Sequence, residues 1–235
     1  MVEFNGVSML DVAPVKIIDI YNTSPEVLPV SQTRALQDGA LFVRRTRGVR
    51  DITVTFVIME TDAAQRRAYL SALIAWAASP TLAPLKIMQE PLGYLNAICT
   101  DYPDQSSREY WEVLQMQFTA YDPAFTAVEE YRQPITLPVY VSRSEPPLMR
   151  IEQAISTPLS APAWSLGAQS LSIVGDVGVG ALIIDFDAET ITLNGASIMS
   201  QLAIGSTFFA LQQGANQITL ANGAGGTLCW RERWL

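Results

Sequence analysis

The chain is 235 residues long, 49% apolar and only 16% charged, with a net charge of −8 and a pI near 4.6. That balance excludes ordinary affinity for nucleic acid, which rests on Lys and Arg neutralising phosphates. The complete lack of histidine removes the commonest general base and the commonest metal ligand together.

No apolar run approaches the roughly 20 residues that a membrane helix needs. The opening residues Met1–Asn5 have neither the basic start nor the apolar core of a signal peptide. A soluble protein that folds where it is made is expected. Cys99 and Cys229 are the only cysteines, far apart in apolar surroundings, which predicts buried thiols instead of a disulfide.

Between Gly48 and Met59 the chain alternates. Ile52, Val54, Phe56 and Ile58 point one way, and Thr53, Thr55 and Val57 the other, the period-2 pattern of a half-buried strand. A single helix follows over about 62–78. Asp62 is its N-cap, with Gln65 placed to complete a capping box. Leu70, Leu73, Ile74 and Ala77 form its apolar stripe, and Pro80 ends it. A strand around Tyr94–Cys99 comes next. Trp111–Tyr121 then alternates, with Leu114, Met116, Phe118 and Ala120 on one face.

Pro134, Pro138, Pro146 and Pro147 fall within fourteen residues, a density suited to connections and edge strands. They place a domain boundary near residues 132–150, giving domains 1–135 and 136–235. In the second domain, strands are predicted at Leu171–Val174, at Ala181–Phe186 and at Ile191–Leu193, the last running into an Asn194-Gly195 turn. Phe208–Leu211 and Ile218–Leu220 flank a predicted turn at Gly214–Asn216, and Leu228–Trp234 closes the chain. Short strands with turns every eight to twelve residues imply an antiparallel sandwich. The fold class is therefore mainly β: a sandwich-like domain with one helix, then a second β-sandwich.

Candidate sites are few. Arg44, Arg45, Arg47 and Arg50 form the densest basic cluster and are read as a candidate subunit interface, ahead of a solvated hairpin or a phosphate patch. Asp185, Asp187 and Glu189 alternate like ligands of a calcium loop, yet no glycine follows at the sixth position and no glutamate closes it. Gly175, Gly178 and Gly180 precede a strand instead of a helix, so a nucleotide fingerprint fails. Without histidine or a Gly-x-Ser-x-Gly elbow, hydrolase chemistry has no support. A glycosidase pair of distant carboxylates stays open, with Asp101 and Asp104 equally readable as turn formers. No catalytic residue, cofactor or metal site is assigned. Large aromatics are read mainly as core or interface anchors, one of Phe208 and Phe209 facing outward. Trp164 and Trp230 are the glycan contacts under an alternative reading.

These residues, in this order, resemble the distal tail proteins (Dit family) of long-tailed, siphovirus-type bacteriophages and related prophages. The resemblance rests on RGVRDITVTFVI (47–58), LSALIAWA (70–77) and LQMQFTAYDPAF (114–125), with its Ala120-Tyr121-Asp122-Pro123 ending. The second half adds IIDFDAETITLNG (183–195), FFALQQGANQITL (208–220) with Gly214, Asn216 and Ile218, and CWRERWL (229–235). Residues 132–165 carry no marker. The resemblance implies a galectin-like or carbohydrate-module-like second domain and a non-enzymatic tail component forming a hexameric ring, single or stacked in pairs. A central channel would pass DNA in transit. Its partners would be the tail tube, tape measure and tip or baseplate hub proteins, in a virion tail assembled in the host cytoplasm. It also leaves open a final strand returning to the first domain. An acidic subunit suits such a channel, since like charge lowers adhesion of DNA. The segment Val30–Arg47 is where an arm crossing to the next subunit is expected. The alternative is a module binding a host cell-surface glycan.

Overall fold

In the computed structural model, residues 1–33, 40–103 and 112–235 are described, with backbone alone at 31–33 and 40–45. The chain divides into two units, Met1–Phe125 with Leu235, and Thr126–Trp234. The fold is mainly β, as the sequence implies.

The first unit runs β1 (Val2–Phe4), β2 (Val7–Ser8), α1 (Met9–Val12), β3 (Val15–Asn22), β4 (Val27–Thr33), β5 (Ala40–Arg47) and β6 (Arg50–Ile58). Then come α2 (Ala63–Ala77), β7 (Ala83–Ile87), β8 (Gly93–Asp101) and β9 (Leu114–Ala120). Seven of the strands form an antiparallel sheet in the order β3-β6-β9-β8-β7-β1-β2. The alternation read in β6 and β9 is the one observed: Ile52, Val54, Phe56 and Ile58 are buried, as are Leu114, Met116, Phe118 and Ala120.

Helix α2 buries Leu70, Leu73 and Ala77, with Trp76 edge-on to Phe4 and Phe118 at 6.0 and 6.2 Å. The Trp76 indole N–H also donates to the Val7 carbonyl at 3.1 Å. Asp62 caps the helix, its Oδ1 accepting from Ala64 N at 2.8 Å. Glu60 takes the part expected of Gln65, accepting from the Asp62 N–H at 3.1 Å. A second helix, α1, escapes periodicity because it is four residues long; Ser8 caps it through Leu10 N.

The second unit is a β-sandwich. Its larger sheet orders Tyr131–Pro134, Thr227–Trp234, Glu145–Ile155, Gly180–Asp185, Thr190–Leu193 and Ala196–Ser197. The final strand is thus paired on both sides within this unit. Opposite it lies a three-stranded sheet of Gln169–Ser172, Ala163–Leu166 and Thr219–Ala221. The core between them holds Ile151, Leu182, Ile184, Ile191 and Leu228 with Trp164, Leu171, Phe209 and Ile218. Asn194 and Gly195 have φ of 52° and 80°, the two-residue hairpin conformation expected of them. Pro146 and Pro147 sit at a register irregularity between Glu145 and Leu148, where a strand tolerates missing donors.

Two readings in this unit change. Gly214–Asn216 is a strand paired with Val139–Val141, not a turn. Asn216 makes this workable: it is buried, accepts from Gln212 N at 2.9 Å, and donates to the carbonyls of Gln212 and Gly214. Residues 208–211 form no strand, and neither Phe208 nor Phe209 is exposed, against the expectation that one faces outward. Both rings meet Phe186, at 5.7 and 4.7 Å.

Gly226 is held to glycine by its backbone angle and by neighbouring backbone together. Gly226 has φ +113°, and a Cβ there would stand 2.5 Å from the Glu152 carbonyl oxygen. Gly226→Ala is expected to destabilise the protein by roughly 3 kcal/mol, through backbone strain plus displacement of the central strand. Urea unfolding followed by tryptophan fluorescence measures it.

Candidate assembly surface

Strands β4 and β5 pair only with each other, in register from Val27↔Arg47 to Thr33↔Ala40, with an irregularity between Val30 and Ser31. Among the described residues they make a hairpin whose outer edges carry no strand. Val27, Leu28 and Val30 are exposed along β4. Unpaired edges with apolar side chains are templates for another chain, and an isolated hairpin is marginal in water. This hairpin contains most of the segment where a crossing arm is expected.

The root of the hairpin is fixed by four hydrogen-bonded positions. Gly48 N donates to the Glu26 carbonyl at 2.8 Å, closing the neck. Thr23 N donates to the Asp51 carbonyl at 3.1 Å. The Thr23 hydroxyl donates to the same carbonyl at 2.9 Å and accepts from Asp51 N at 3.0 Å. The Asp51 carboxylate in turn accepts from the Thr119 hydroxyl at 2.6 Å, tying the neck to β9.

Arg50 completes this clamp and corrects the basic cluster. Its residue is only 4% exposed, so it does not belong to an exposed surface with the other three arginines. Nε donates to the Pro123 carbonyl at 2.8 Å, Nη1 to Asn22 Oδ1 at 3.0 Å, and the guanidinium lies 4.9 Å over the Phe125 ring. Burial lowers its pKa, and the charge of Glu90 acts the other way. The Ala120-Tyr121-Asp122-Pro123 ending acquires a physical reason. Asp122 Oδ1 accepts from Ala124 N and bends the chain, which presents the Pro123 carbonyl to Arg50. Arg47 is exposed at the end of β5. Arg44 and Arg45 stand opposite Val30 and Pro29, their side chains outside the described residues.

Sequence reasoning missed Asn22, Thr23, Asp51 and Thr119. Their only signal is a short polar residue beside a strand end, which is common to most hairpins.

The glycan contacts are also corrected. Trp164 is 0% exposed, its indole N–H donating to the Gly225 carbonyl at 3.2 Å, and Trp230 is 8% exposed beneath the stacked Tyr131 ring. Neither can meet a sugar without unfolding its surroundings. The acidic run is a turn: Asp185 Oδ1 accepts from the N–H groups of Asp187 and Ala188, and no metal-holding cluster occurs among the described residues. Asp101 ends β8, and Asp104 lies outside the described residues.

The outer face of the second unit's larger sheet carries a linked set of charges. Arg150 grips Glu130 through both terminal guanidinium nitrogens, at 2.8 and 3.1 Å, and donates from Nε to Glu152 at 2.7 Å. Arg132 reaches both carboxylates. Glu152 is held below the usual carboxylate range, chiefly by the Arg150 hydrogen bond. A depressed folded value gives stability present above the unfolded pKa and lost as pH falls through the folded one. The wild type is therefore expected to lose stability relative to Glu152→Gln as pH falls below the ordinary range of a glutamate. Thermal unfolding across that range measures it. A shallow depression of about 340 Å³ adjoins this set, lined by Gln153, Ala181, Leu182 and Ile183 among others.

Both cysteines are buried free thiols. Burial pushes Cys99 up to about 11, and raises Cys229 as well. No helix among the described residues is long and apolar enough to cross a membrane.

Residues 154–234 match the model of the siphovirus-type tail component, C-terminal domain. Over the whole chain the fold is that of the SPP1 Dit protein, described as a paradigm of hub adsorption apparatus in Gram-positive infecting phages. The TM-score is 0.82 at 16% identity, covering 100% of this chain and 98% of that one. A chain of the phage P2 baseplate in its activated conformation with Ca is more distant. Its TM-score is 0.53 at 8% identity, over 94% of this chain and 91% of that one. No curated protein matches the sequence. The likeness read from the motifs is borne out by the domain match and by the fold.

Proposed function

We propose that this chain, a Dit-family protein, is a structural component of a siphovirus-type phage tail, located in the virion tail. It assembles as a hexameric ring that joins the tail tube to the baseplate or tip, around a channel for DNA in transit. The observation that carries this reading is the β4–β5 hairpin: two strands with open edges and exposed apolar residues, rooted rigidly by Arg50, Thr23 and Asp51. A projecting arm on one copy and a receiving surface on the next make a heterologous contact, the kind that closes a ring by rotation. Tail tube, tape measure and hub proteins would stack along its axis. The work is mechanical, with no reaction assigned to it.

Native mass spectrometry and negative-stain top views of the purified chain test the reading. Six-membered rings, single or doubled, support it; a monomer at every concentration, alone and with tube and hub partners, overturns it. The glycan-binding alternative has lost both of its named contacts to the core. A glycan array with the full chain checks the remaining surface.

A further inference from the structure

The sequence contains three Asn-Gly pairs, Asn5-Gly6, Asn194-Gly195 and Asn222-Gly223. Each forms the centre of a tight turn. Phe4 pairs with Val7 across the first and Leu193 with Ala196 across the second. Across the third, Ala224 N donates to the Ala221 carbonyl at 3.1 Å. Their φ angles nearly coincide, at 51°, 52° and 57° for asparagine and 80°, 80° and 77° for glycine. All six residues are exposed. Sequence, turn and solvent access are matched, so what differs is the hold on the asparagine amide.

Asn194 is held at both ends: Oδ1 accepts from Ala181 N at 2.9 Å, and Nδ2 donates to the Val179 carbonyl at 3.4 Å. Asn222 Nδ2 donates to the Ala161 carbonyl at 2.8 Å. The Asn5 carboxamide makes no hydrogen bond to a described residue. Its main chain is nonetheless fixed, since Asn5 N donates to the Pro84 carbonyl at 2.9 Å.

That difference bears on a covalent reaction. A glycine nitrogen that has lost its proton to hydroxide attacks Cγ of the preceding asparagine, and without a Cβ the glycine leaves this approach open. Asn22, Asn96 and Asn216 precede Thr23, Ala97 and Gln217, whose side chains crowd it. The N–Cγ bond forms, the Cγ–Nδ2 bond breaks, ammonia leaves with a proton from water, and a five-membered succinimide results. Water then opens the ring. Cleavage at Cγ gives aspartate, and cleavage at the main-chain carbonyl gives isoaspartate, with an added methylene in the backbone. Nothing is oxidised or reduced. The attack requires Cγ to swing toward the next nitrogen, a motion that the bonds at Asn194 and Asn222 oppose.

We propose that Asn5-Gly6 is this chain's preferred site of spontaneous deamidation. Isoaspartate there lengthens a turn built for two residues. The turn adjoins Val7, whose carbonyl receives the Trp76 indole N–H, so the product loosens the β1–β2 hairpin from α2.

Peptide mapping by mass spectrometry of the full chain, held in mildly alkaline buffer and sampled over time, reads all three sites together. Asn5 is expected to convert roughly tenfold faster than Asn194 or Asn222, the factor that a retained hydrogen bond supplies. In urea the restraints vanish, and the three rates are expected to fall within about threefold of one another. Equal rates in the folded chain, or a faster Asn194 or Asn222, overturn the proposal. So does the tenfold ranking persisting in urea, which would trace it to neighbouring residues and not to the fold. The aged chain is expected to unfold at lower urea than Asn5→Asp, which carries the new charge without the lengthened backbone. Equal midpoints would overturn the loosening of the hairpin.

Discussion

Trp164→Ala is expected to destabilise the protein by about 4 kcal/mol, at the upper end for removal of a large aromatic from a core. The side chain is fully buried among Leu171, Phe209 and Ile218, and its N–H is satisfied by the Gly225 carbonyl. Alanine leaves a cavity and an orphaned acceptor together. Trp164→Phe retains most of the packing and is expected to lose about 2 kcal/mol, the hydrogen bond plus residual volume. Urea unfolding with circular dichroism separates the three proteins. A sugar-binding tryptophan would behave in the opposite way, losing ligand affinity with little change in midpoint.

The second large effect is expected at Arg50. Arg50→Ala deprives Asn22 and the Pro123 carbonyl of their donors and removes the cation above Phe125. The expected loss is about 3 kcal/mol, since buried acceptors left unpaired cost more than the bond contributed. Arg50→Lys should recover only part of it, because an ammonium cannot serve two acceptors with the geometry of a planar fork. Thermal unfolding measures the loss. If Arg50→Ala kept the wild-type midpoint and abolished self-association alone, Arg50 would be an interface residue and the clamp would be wrongly assigned.

What could be read from the residues follows from range. Strands β6 and β9 and helix α2 announce themselves because their apolar residues recur at strand or helix spacing within ten or fifteen residues, although Val57 and Thr119, on the opposite faces of the strands, are buried as well. The Asn194-Gly195 hairpin is legible for the same reason. Pairings between distant segments are not: Gly214–Asn216 looks like a turn until Val139–Val141 arrives beside it. Arg50 illustrates the same limit at the candidate site. It sits three residues from Arg47 and clusters with it in sequence, yet its partners Asn22, Pro123 and Phe125 come from two other parts of the chain. Trp164 offers no periodic context strong enough to distinguish an inward from an outward ring. Composition, by contrast, marks the hairpin early, because three arginines on one strand of an acidic chain are visible without coordinates.

The two sulfhydryls make this chain a built-in gauge of partial opening. Cys99 lies in the first unit and Cys229 in the second, each sequestered and poorly ionised near neutrality, where a thiol is slow to react. Alkylating reagents should therefore modify each position only as fast as its own unit breathes. Peptide mapping after a timed pulse would give two separate opening rates from one unmutated sample. Comparing them at low and high protein concentration would tell which half, if either, is braced by contact with other copies.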